Sequence, residues 1–438
     1  MASEWGETTI GDFAQRVTKG TTPTTLGGRF VEAGISYVKV ESITNDGRFQ
    51  PQKFAFIDEE TNRLLERSVL QEDDVFFTIA GTIGRVSKVN ASILPANTNQ
   101  AVAIVRPNRA VIDPQFLYYA LRDGQRVRHA QTRVVQSVQA NFSLTELSAI
   151  TIPLPDKEEQ RAIAHILGTL DDKIELNRRM NETLEAMARA LFKSWFVDFD
   201  PVRAKAEGRD PSLPQPLADI FPARLVNSEL GEIPEGWEVK PLPEVVTVNP
   251  SRSLRKGDVA PYLDMANMPT RGHSPDVVIN RTFGSGMRFV NGDTLVARIT
   301  PCLENGKTAY VDFLGDGQVG WGSTEYIVLR PKPPLPTEFA YCLARNVEFR
   351  DFAIQSMTGS SGRQRVPAGS LSHFQVVVAP KPIAERFGKA ITPLFARANK
   401  AAEEVRILAS LRNTLLPKLI SGELRVKDTE QFIERTTT

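Results

Sequence analysis

A heptad pattern of apolar residues runs through the middle of the chain, from Glu158 to Phe196. Its apolar positions recur at alternating steps of four and three residues, which is the pattern of a helix packed against another helix. These seam positions are Ile163, Leu167, Leu170, Ile174, Asn177, Asn181, Leu184, Ala188, Leu191 and Trp195. The two asparagines lower the stability of the seam but can fix its register and its partner.

The same seam recurs 224 residues later. Its positions are Phe387, Ile391, Leu394, Ala398, Ala401, Val405, Leu408, Arg412, Leu415 and Leu419. Solenoid repeats are far shorter, so a repeat of this length predicts two copies of one domain-plus-helix unit. Two similar halves usually pack about a pseudo-twofold axis, so we expect the helices to run antiparallel as a spacer carrying two heads. From Leu170 to Phe196 this spacer would be about 40 Å long. The alternative is two ordinary amphipathic helices inside unlinked domains.

Short β-type runs alternate with turns in the first head, residues 1–155. They are rich in Val, Ile, Phe and Tyr, as strands are. The runs cover residues 35–40, 74–80, 85–89, 100–107 and 149–155. Pro114–Arg122 is predicted to be a helix, because Asp113 can cap it and proline suits its first position.

The second head, residues 237–380, repeats this order of elements. Residues 261–263, 292–296, 326–331, 336–344 and 374–380 match 36–38, 73–77, 102–107, 114–121 and 149–155. The predicted fold class is therefore α+β, with two similar mixed heads separated by two long antiparallel coiled-coil helices and related by an internal pseudo-twofold repeat. The loops between the matched runs diverge, which suggests related tasks on different targets.

The spacer helices are assigned to residues 156–196 and 381–420. Gly168-Thr169 and Thr392-Pro393 fall at the same place in each, so we expect a break there, with Thr169 capping the longer part. Pro417 and Gly422 are expected to end the second helix, and residues 421–438 form a tail.

The connector, residues 197–236, is rich in proline and cannot form a long helix. Phe199 and Phe221 within it, with Phe196 and Trp237 at its borders, favour burial. We therefore expect the connector to pack along the spacer; a floppy linker is the alternative.

Composition places the chain, 438 residues long, among globular proteins of two domains. It shows no apolar run long enough for a membrane helix and no signal peptide. Only Cys302 and Cys342 are present, which argues against a disulfide framework and fits a cytoplasmic location. The net charge of +1 excludes a uniformly basic coat but not a local basic face.

Catalytic motifs are missing from the sequence. There is no phosphate-binding loop, and Gly81–Gly84 is expected to be a turn between strands. The four histidines are not spaced as metal ligands. Asp198, Asp200 and Lys205 superficially resemble a nuclease set, but their proline-broken stretch disfavours that role. We expect no catalytic residue and no metal site.

Polar loops rich in arginine, amide and hydroxyl side chains remain, at matching places in the two heads. Arginine can pair with guanine and Asn or Gln with adenine, while Ser, Thr and Lys contact phosphates. The candidate DNA-binding residues of the first head are Lys19, Thr21, Thr22, Asn97, Asn99, Gln100, Arg128, Arg133, Gln136, Gln139 and Asn141. Those of the second head are Ser251, Arg252, Arg255, Arg298, Trp321, Ser323, Arg363, Gln364 and Arg365. The alternative is that they are merely solvated loops.

The order of head, helix, head and helix resembles the specificity subunit of type I restriction-modification enzymes. Four stretches of sequence support this resemblance: IPLPDKEEQRAIAHILGTLDDKIELN after the first head, LFKSWFVDFDPVRAKAEGR after the first helix, FPARLVNSELGEIPEGWEV before the second head, and LLPKLISGELRV near the end. These stretches cover the helices and connectors, while the loops of the heads add little to recognition.

The resemblance implies that each head is a target recognition domain reading one half of a bipartite site in double-stranded DNA. It also implies that the helices dock two methyltransferase (modification) subunits. These bind S-adenosylmethionine and methylate a flipped adenine. Separate restriction and motor subunits would use ATP and Mg²⁺, and this chain itself would be non-catalytic and bind no cofactor. Half-sites one DNA turn apart, about 34 Å, agree with the spacer length. A two-headed scaffold for proteins or carbohydrates is the competing hypothesis.

Overall fold

The computed structural model describes residues 5–123, 142–360 and 362–428. The elements before the first long helix are β1 (Gly6–Thr9), α1 (Ile10–Phe13), β2 (Ala14–Lys19), β3 (Phe30–Val31), β4 (Ile35–Val38), β5 (Ala55–Ile57), α2 (Glu59–Leu64), β6 (Val75–Thr78), β7 (Val86–Lys88), β8 (Ala96–Thr98), β9 (Val102–Pro107), α3 (Pro114–Arg122), α4 (Leu144–Ser148) and β10 (Thr151–Leu154). The first long helix and the connector contribute α5 (Lys157–Phe196), α6 (Asp200–Ala206), α7 (Gln215–Ala218), β11 (Leu225–Ser228) and β12 (Gly231–Pro234).

The remaining elements repeat much of the first series. They are β13 (Glu238–Pro241), α8 (Leu242–Val245), β14 (Val246–Val248), β15 (Val259–Leu263), β16 (Ile279–Thr282), β17 (Met287–Phe289), β18 (Thr294–Ala297), β19 (Thr308–Tyr310), β20 (Gly320–Gly322), β21 (Tyr326–Pro331), α9 (Phe339–Arg345), α10 (Val347–Gln355), β22 (Gln375–Val378) and α11 (Lys381–Ser421).

Two compact units divide these elements. The first unit comprises residues 1–172 and 408–438, and the second unit comprises residues 173–407. Each long helix therefore contributes to both units. Each unit combines β-sheets with helices, which confirms the predicted α+β class.

The first unit contains two four-stranded sheets, in the orders β2-β9-β6-β7 and β3-β5-β4-β8, and the pair β1-β10. Strand β6 is buried on both faces because successive side chains of a strand point to opposite sides. Val75 and Phe77 pack with α3 in one core, while Phe76 packs in another with Ile104 of β9.

The second unit repeats the order of the first sheet, while its second sheet shares only the parallel pair and the strand next to it. Its sheets have the orders β14-β21-β18-β19 and β16-β15-β20-β17, with the pair β13-β22. In both units one strand pair is parallel: β4 with β8 in the first and β15 with β20 in the second. The internal repeat inferred from sequence is thus present in the order of the first sheet and in the parallel pair of the second.

A buried ion pair is part of the repeat. In the first unit Arg106 donates from Nε and Nη2 to Asp74, at 2.8 Å each. In the second unit Arg330 Nε donates to Asp293 Oδ1 at 2.6 Å. The side chains of both aspartates are wholly buried. The hydrogen bonds to Asp74 raise the pKa of the Arg106 guanidinium, so this arginine stays charged.

The long helices run antiparallel in each unit. In the first unit Asp171 of α5 contacts Arg412 of α11, while Glu159, earlier in α5, accepts from Val426, which follows α11. In the second unit Asn177 Nδ2 donates to Glu404 Oε2 at 2.9 Å. Further along α5, Trp195 meets Phe387, near the start of α11, at a ring-centroid distance of 5.8 Å.

The seam residues of α5 and α11 are buried or half-buried throughout. The seam asparagines differ, however. Asn177 is bonded to Glu404, whereas Asn181 Oδ1 is buried with no hydrogen-bond partner in the described part of the chain. Arg412, the charged seam residue, is only 11% exposed and is neutralised by Asp171.

The predicted helix break is wrong. Helix α5 is continuous through Gly168-Thr169 and α11 through Thr392-Pro393. Thr169 does not cap a helix; its Oγ1 donates to the carbonyl of His165 at 2.8 Å, as hydroxyls inside helices often do.

Pro417 also lies inside α11, which ends only before Gly422, whose φ of 73° is left-handed. Along α5, 40 residues correspond to about 60 Å.

The connector is folded within the second unit, as expected, and is not a loose linker. Phe199 and Phe221 are buried, in one core with Phe196 and Trp237. Trp195 meets Phe221 edge-to-face at a centroid distance of 5.1 Å. The aromatic residues at its borders thus attach the connector to α5.

Candidate nucleic-acid interface

Three loops of the second unit meet beyond the ends of β18 and β20. The loop after β18 begins at Arg298, whose backbone N–H donates to Glu325 O at 2.9 Å. A hairpin in which Thr358 pairs with Arg365 lies against it: Thr300 N–H donates to Gln364 O at 3.1 Å, and Val366 N–H donates to Arg298 O at 2.8 Å. We call this surface, formed by residues 298–307, 323–325, 358–360 and 362–366, the three-loop surface.

The three-loop surface brings together five residues suggested by the sequence: Arg298, Ser323, Arg363, Gln364 and Arg365. Arg363 is exposed at the hairpin tip, and Gln364 is half-buried. Arg365 is held by Glu325, with Nε to Oε1 at 2.8 Å, so it braces the hairpin against the loop after β20. Buried Arg298 Nε has no hydrogen-bond partner among the described residues. The surface therefore offers an exposed basic side chain, Arg363, on a hairpin that Arg365 braces.

A second basic segment of this unit, residues 251–256, follows β14. Arg252 Nη2 donates to Asp293 at 3.1 Å, and this holds the segment to the start of β18. Ser251 and Arg255 are exposed. Arg255 also lines an open cleft of about 530 Å³ together with Ser253, Leu254, Asp258, Val259, Ala260, Pro261, Gln318 and Val319. Arg252 is thus a brace, whereas Arg255 faces solvent.

Trp321 requires a correction, because it is not a surface residue. It lies in β20, only 5% exposed, with its ring 4.4 Å from Tyr262 and 5.3 Å from Phe283, between centroids. Its Nε1–H donates to the carbonyl of Arg281 at 3.3 Å. A direct DNA contact through Trp321 is therefore excluded in this conformation.

Basic residues on the neighbouring strands were missed by sequence reasoning. The guanidinium of Arg281 lies over the ring of Tyr262 at 5.0 Å, and that of Arg288 lies near Phe283 at 5.8 Å. Arg281 is exposed on β16. Each of these arginines lies in a short strand and not in a polar, turn-rich loop, so nothing in the sequence indicated that they reach the surface together.

Two loops of the first unit also meet. Thr22 Oγ1 donates to Gln100 Oε1 at 2.6 Å, joining the loop after β2 to the loop after β8. Gly20 allows this approach, because a Cβ there would lie 1.8 Å from the carbonyl oxygen of Thr98. Lys19 and Gln100 are exposed, and Thr21 and Asn99 are half-buried. Five of the suggested residues therefore share one edge of this unit.

Three further residues join that edge. Arg67 Nη2 donates to Thr21 Oγ1 at 3.3 Å, and Lys39 Nζ lies 5.0 Å from the ring centre of Phe30, whose side chain is 41% exposed. Sequence reasoning missed all three, because they come from a strand, a turn and a helix end rather than from a polar loop.

Asn97 also requires a correction. It is fully buried in β8, where its Oδ1 accepts from Ser68 Oγ at 2.7 Å. Its Nδ2 donates to Asn62 Oδ1 at 2.9 Å and to the carbonyl of Leu65 at 3.2 Å. With all its polar atoms bonded inside the unit, Asn97 holds the sheet together and cannot reach DNA.

The remaining suggested residues of the first unit, Arg128, Arg133, Gln136, Gln139 and Asn141, lie outside the described residues. The residue that follows them is described: Phe142 N–H donates to Ile79 O at 2.9 Å. This bond matches the one from Val366 to Arg298 in the second unit, because Ile79 follows β6 as Arg298 follows β18.

The residues that superficially resembled a nuclease site have structural contacts. Lys205 Nζ donates to the carbonyls of Ala218 at 3.0 Å and Phe221 at 2.6 Å, and Asp198 pairs with Lys193. Across the described ranges, no cluster of three or more His, Cys, Asp or Glu side chains could hold a metal ion. In the same ranges, no helix combines the length and apolar character needed to cross a membrane. Gly81–Gly84 lies between β6 and β7 as a turn, as predicted.

Comparisons with known proteins agree with this architecture. The family model described as Type I restriction modification DNA specificity domain matches residues 2–186. The chain is 26% identical over 377 residues to the Type I restriction enzyme HindI specificity subunit of Haemophilus influenzae, a match that covers 73% of this chain and 80% of that protein. It is 24% identical over 451 residues to the MjaIX specificity subunit of Methanocaldococcus jannaschii, covering 98% and 95%.

The fold has a counterpart among solved structures. The crystal structure of the type I restriction-modification S subunit from M. genitalium superposes with a TM-score of 0.55 at 15% sequence identity, over 95% of this chain and 96% of that one. The repeated sheet, the two long helices and these similarities confirm the resemblance noted from the sequence: the chain is similar to type I restriction-modification specificity subunits over most of its length, and residues 2–186 match their family model.

Proposed function

We propose that this chain is the DNA-recognition subunit of a type I restriction-modification complex, non-catalytic by itself. The observation that carries the proposal is the three-loop surface of the second unit. There exposed Arg363 and half-buried Gln364 and Arg298 lie on loops bonded to one another. Arginine and amide side chains are the groups that read base edges in the major groove.

Each head would then read one half of a bipartite site. The heads are taken as residues 1–155 and 237–380, with residues 156–196 and 381–420 as the spacer. The edge of the first unit that carries Lys19, Thr22 and Gln100 would read the other half-site; it includes the loop after β8, which corresponds to the loop after β20 in the three-loop surface. Since the two surfaces carry different residues, the two half-sites would differ in sequence.

Partner subunits would supply the chemistry. We propose that two methyltransferase subunits carrying S-adenosylmethionine, and restriction subunits using ATP and Mg²⁺, assemble on this chain in the cytoplasm. Helix α5 exposes Leu176 and Met187, at 60% and 50%, and α11 exposes Ile407 at 53%. Large apolar side chains exposed on long helices suit a docking surface for another protein.

The test of this function is methylome sequencing of a host that expresses the chain together with its partner methyltransferase. We expect methylated adenine on each strand of a two-part motif with a gap of fixed length. An active methyltransferase that leaves no such motif would contradict the proposal and favour a scaffold that binds proteins or carbohydrates.

Arg363→Ala tests the recognition surface itself. If Arg363 contacts a base, binding of the assembled complex to its site weakens by about 1–3 kcal/mol and the preference at one position relaxes. If it contacts a phosphate, binding weakens equally for all sequences and the slope of log K against log salt falls by about 1. Binding is measured by fluorescence anisotropy across a salt series.

The matched control is Arg224→Ala, an arginine of the connector whose side chain is 79% exposed. It removes the same charge away from the three-loop surface, so its affinity and its salt slope should equal those of the unmodified complex. Equal losses for both variants would mean that Arg363 acts only through net charge.

A further inference from the structure

A buried arginine of the second unit holds two loops at once. Arg345, the last residue of α9, has a side chain that is 8% exposed. Its Nη1 donates to the carbonyls of Thr270 at 2.9 Å and Gly306 at 2.8 Å. Its Nη2 donates to the carbonyls of Gly272 at 2.7 Å and Thr308 at 3.1 Å. The guanidinium therefore links residues 270–272 to the end of the loop that follows β18.

The same arginine is tied to the long helix α5. Its Nε lies 3.0 Å from the hydroxyl of Tyr341, and that hydroxyl lies 2.8 Å from Oε1 of Glu185. Glu185 is itself 6% exposed, and its carboxylate is 3.7 Å from Arg345 Nε. Burial alone lowers the pKa of the guanidinium, but Tyr341 and Glu185 outweigh it and the net pKa is raised. Arg345 thus remains a full cation inside the unit.

The loop that Arg345 holds is part of the three-loop surface. Gly306 closes the loop that starts at Arg298 and passes Thr300, the partner of Gln364. Lys307 fixes the same end, since its Nζ donates to the carbonyl of Met265 at 2.5 Å. Loss of the guanidinium would remove these donors from four carbonyls, two of which belong to the buried residues Gly306 and Thr308, and would free the loop end.

We propose that Arg345 is a positioning residue for sequence recognition: it sets the conformation of residues 298–307 and thereby the half-site preference of the second head. The inference rests on the proposed DNA-recognition function and adds a specificity role for a residue that does not reach DNA. A planar fork with five donors is suited to this task, since a lysine ammonium has three donors and no fixed plane.

The experiment compares methylation rates of the complete methyltransferase complex on a DNA panel with one base changed at a time in each half-site. The unmodified complex should discriminate against each change by about 10-fold or more. Arg345→Met should lose about 10-fold of this discrimination in the half-site whose recognition Arg363→Ala alters. Discrimination in the other half-site should be unchanged, because no described contact of Arg345 lies in the first unit.

Two further variants separate positioning from general stability. Trp237→Phe loses packing against Phe196 and Phe199 and touches neither loop, so it should lower the melting temperature and keep both half-site preferences. Arg345→Lys keeps the charge without the fork, so its discrimination should fall between those of the unmodified complex and Arg345→Met. If Arg345→Met does not fold, Arg345→Lys decides the question.

The outcomes are distinct. Normal discrimination by a folded Arg345→Met, or by Arg345→Lys, overturns the positioning role. Equal loss in both half-sites also overturns it, since that would be a general defect of the complex. An unmodified complex with no preference at any position in either half-site refutes the proposed function instead.

Discussion

Asp293→Ala should lower the free energy of unfolding of the second unit by about 3–5 kcal/mol. The Asp293 carboxylate is wholly buried and accepts from Arg330 Nε at 2.6 Å, Arg252 Nη2 at 3.1 Å and the backbone N–H of Val290 at 2.8 Å. Removing it leaves two arginines, each less than a quarter exposed, without their counter-charge. An unpaired buried charge is far more costly than the net gain from forming the pair.

Urea unfolding of the purified chain, followed by circular dichroism, measures this loss. Asp316→Ala is the control, because Asp316 is an exposed acid of the same unit and its removal should change stability by less than about 0.5 kcal/mol. Asp74→Ala makes the equivalent change in the first unit, where Asp74 is held by Arg106. A loss below about 1 kcal/mol for Asp293→Ala would show that solvent reaches both arginines and that the pair adds little.

The second large effect is expected for Phe387→Ala, again at about 3–5 kcal/mol. Phe387 is fully buried on α11, with ring centroids of Phe196 at 4.8 Å, Trp195 at 5.8 Å and Phe192 at 6.3 Å. These rings belong to α5, so the side chain joins the two helices. Its truncation opens a cavity among rigid rings that cannot collapse to fill it.

Thermal unfolding by calorimetry checks this prediction, with Ile407→Ala as the control on the same helix. Ile407 is 53% exposed, and its truncation should shift the stability by less than about 0.5 kcal/mol. Similar shifts for the two variants would mean that the aromatic cluster does not hold α5 and α11 together.

The periodicity of the seam was sufficient to predict the long helices, because burial along a helix follows directly from the spacing of apolar residues. The breaks predicted at Gly168 and Pro393 from local propensity were wrong, because both helices are continuous there. Ile163 and Leu167 before the first position, and Ile391 and Phe395 around the second, are buried in continuous cores. Packing of these neighbours outweighs the local cost of glycine or proline.

The polar loops were less predictable than the helices. Asn97 and Gln100 are three residues apart in one polar stretch, yet the first is buried in β8 and the second is exposed. Residue type does not separate these cases, since an amide can bond to protein or to solvent equally well. Arg345 was beyond sequence reasoning altogether, because its partners at Gly306, Gly272 and Thr270 lie far from it in the chain and only the fold brings them to it.

The division of the chain has a consequence for its synthesis on the ribosome. The second unit is one uninterrupted stretch, residues 173–407, whereas the first unit needs residues from 408 onward. Leu415, Leu419 and Ile420 belong to the same core as Ile163 and Phe116. During translation, part of the core of the first unit therefore stays uncovered until the last helix is made. The second unit can fold before that. Truncation of the chain after residue 407 would thus destabilise the first unit more than the second.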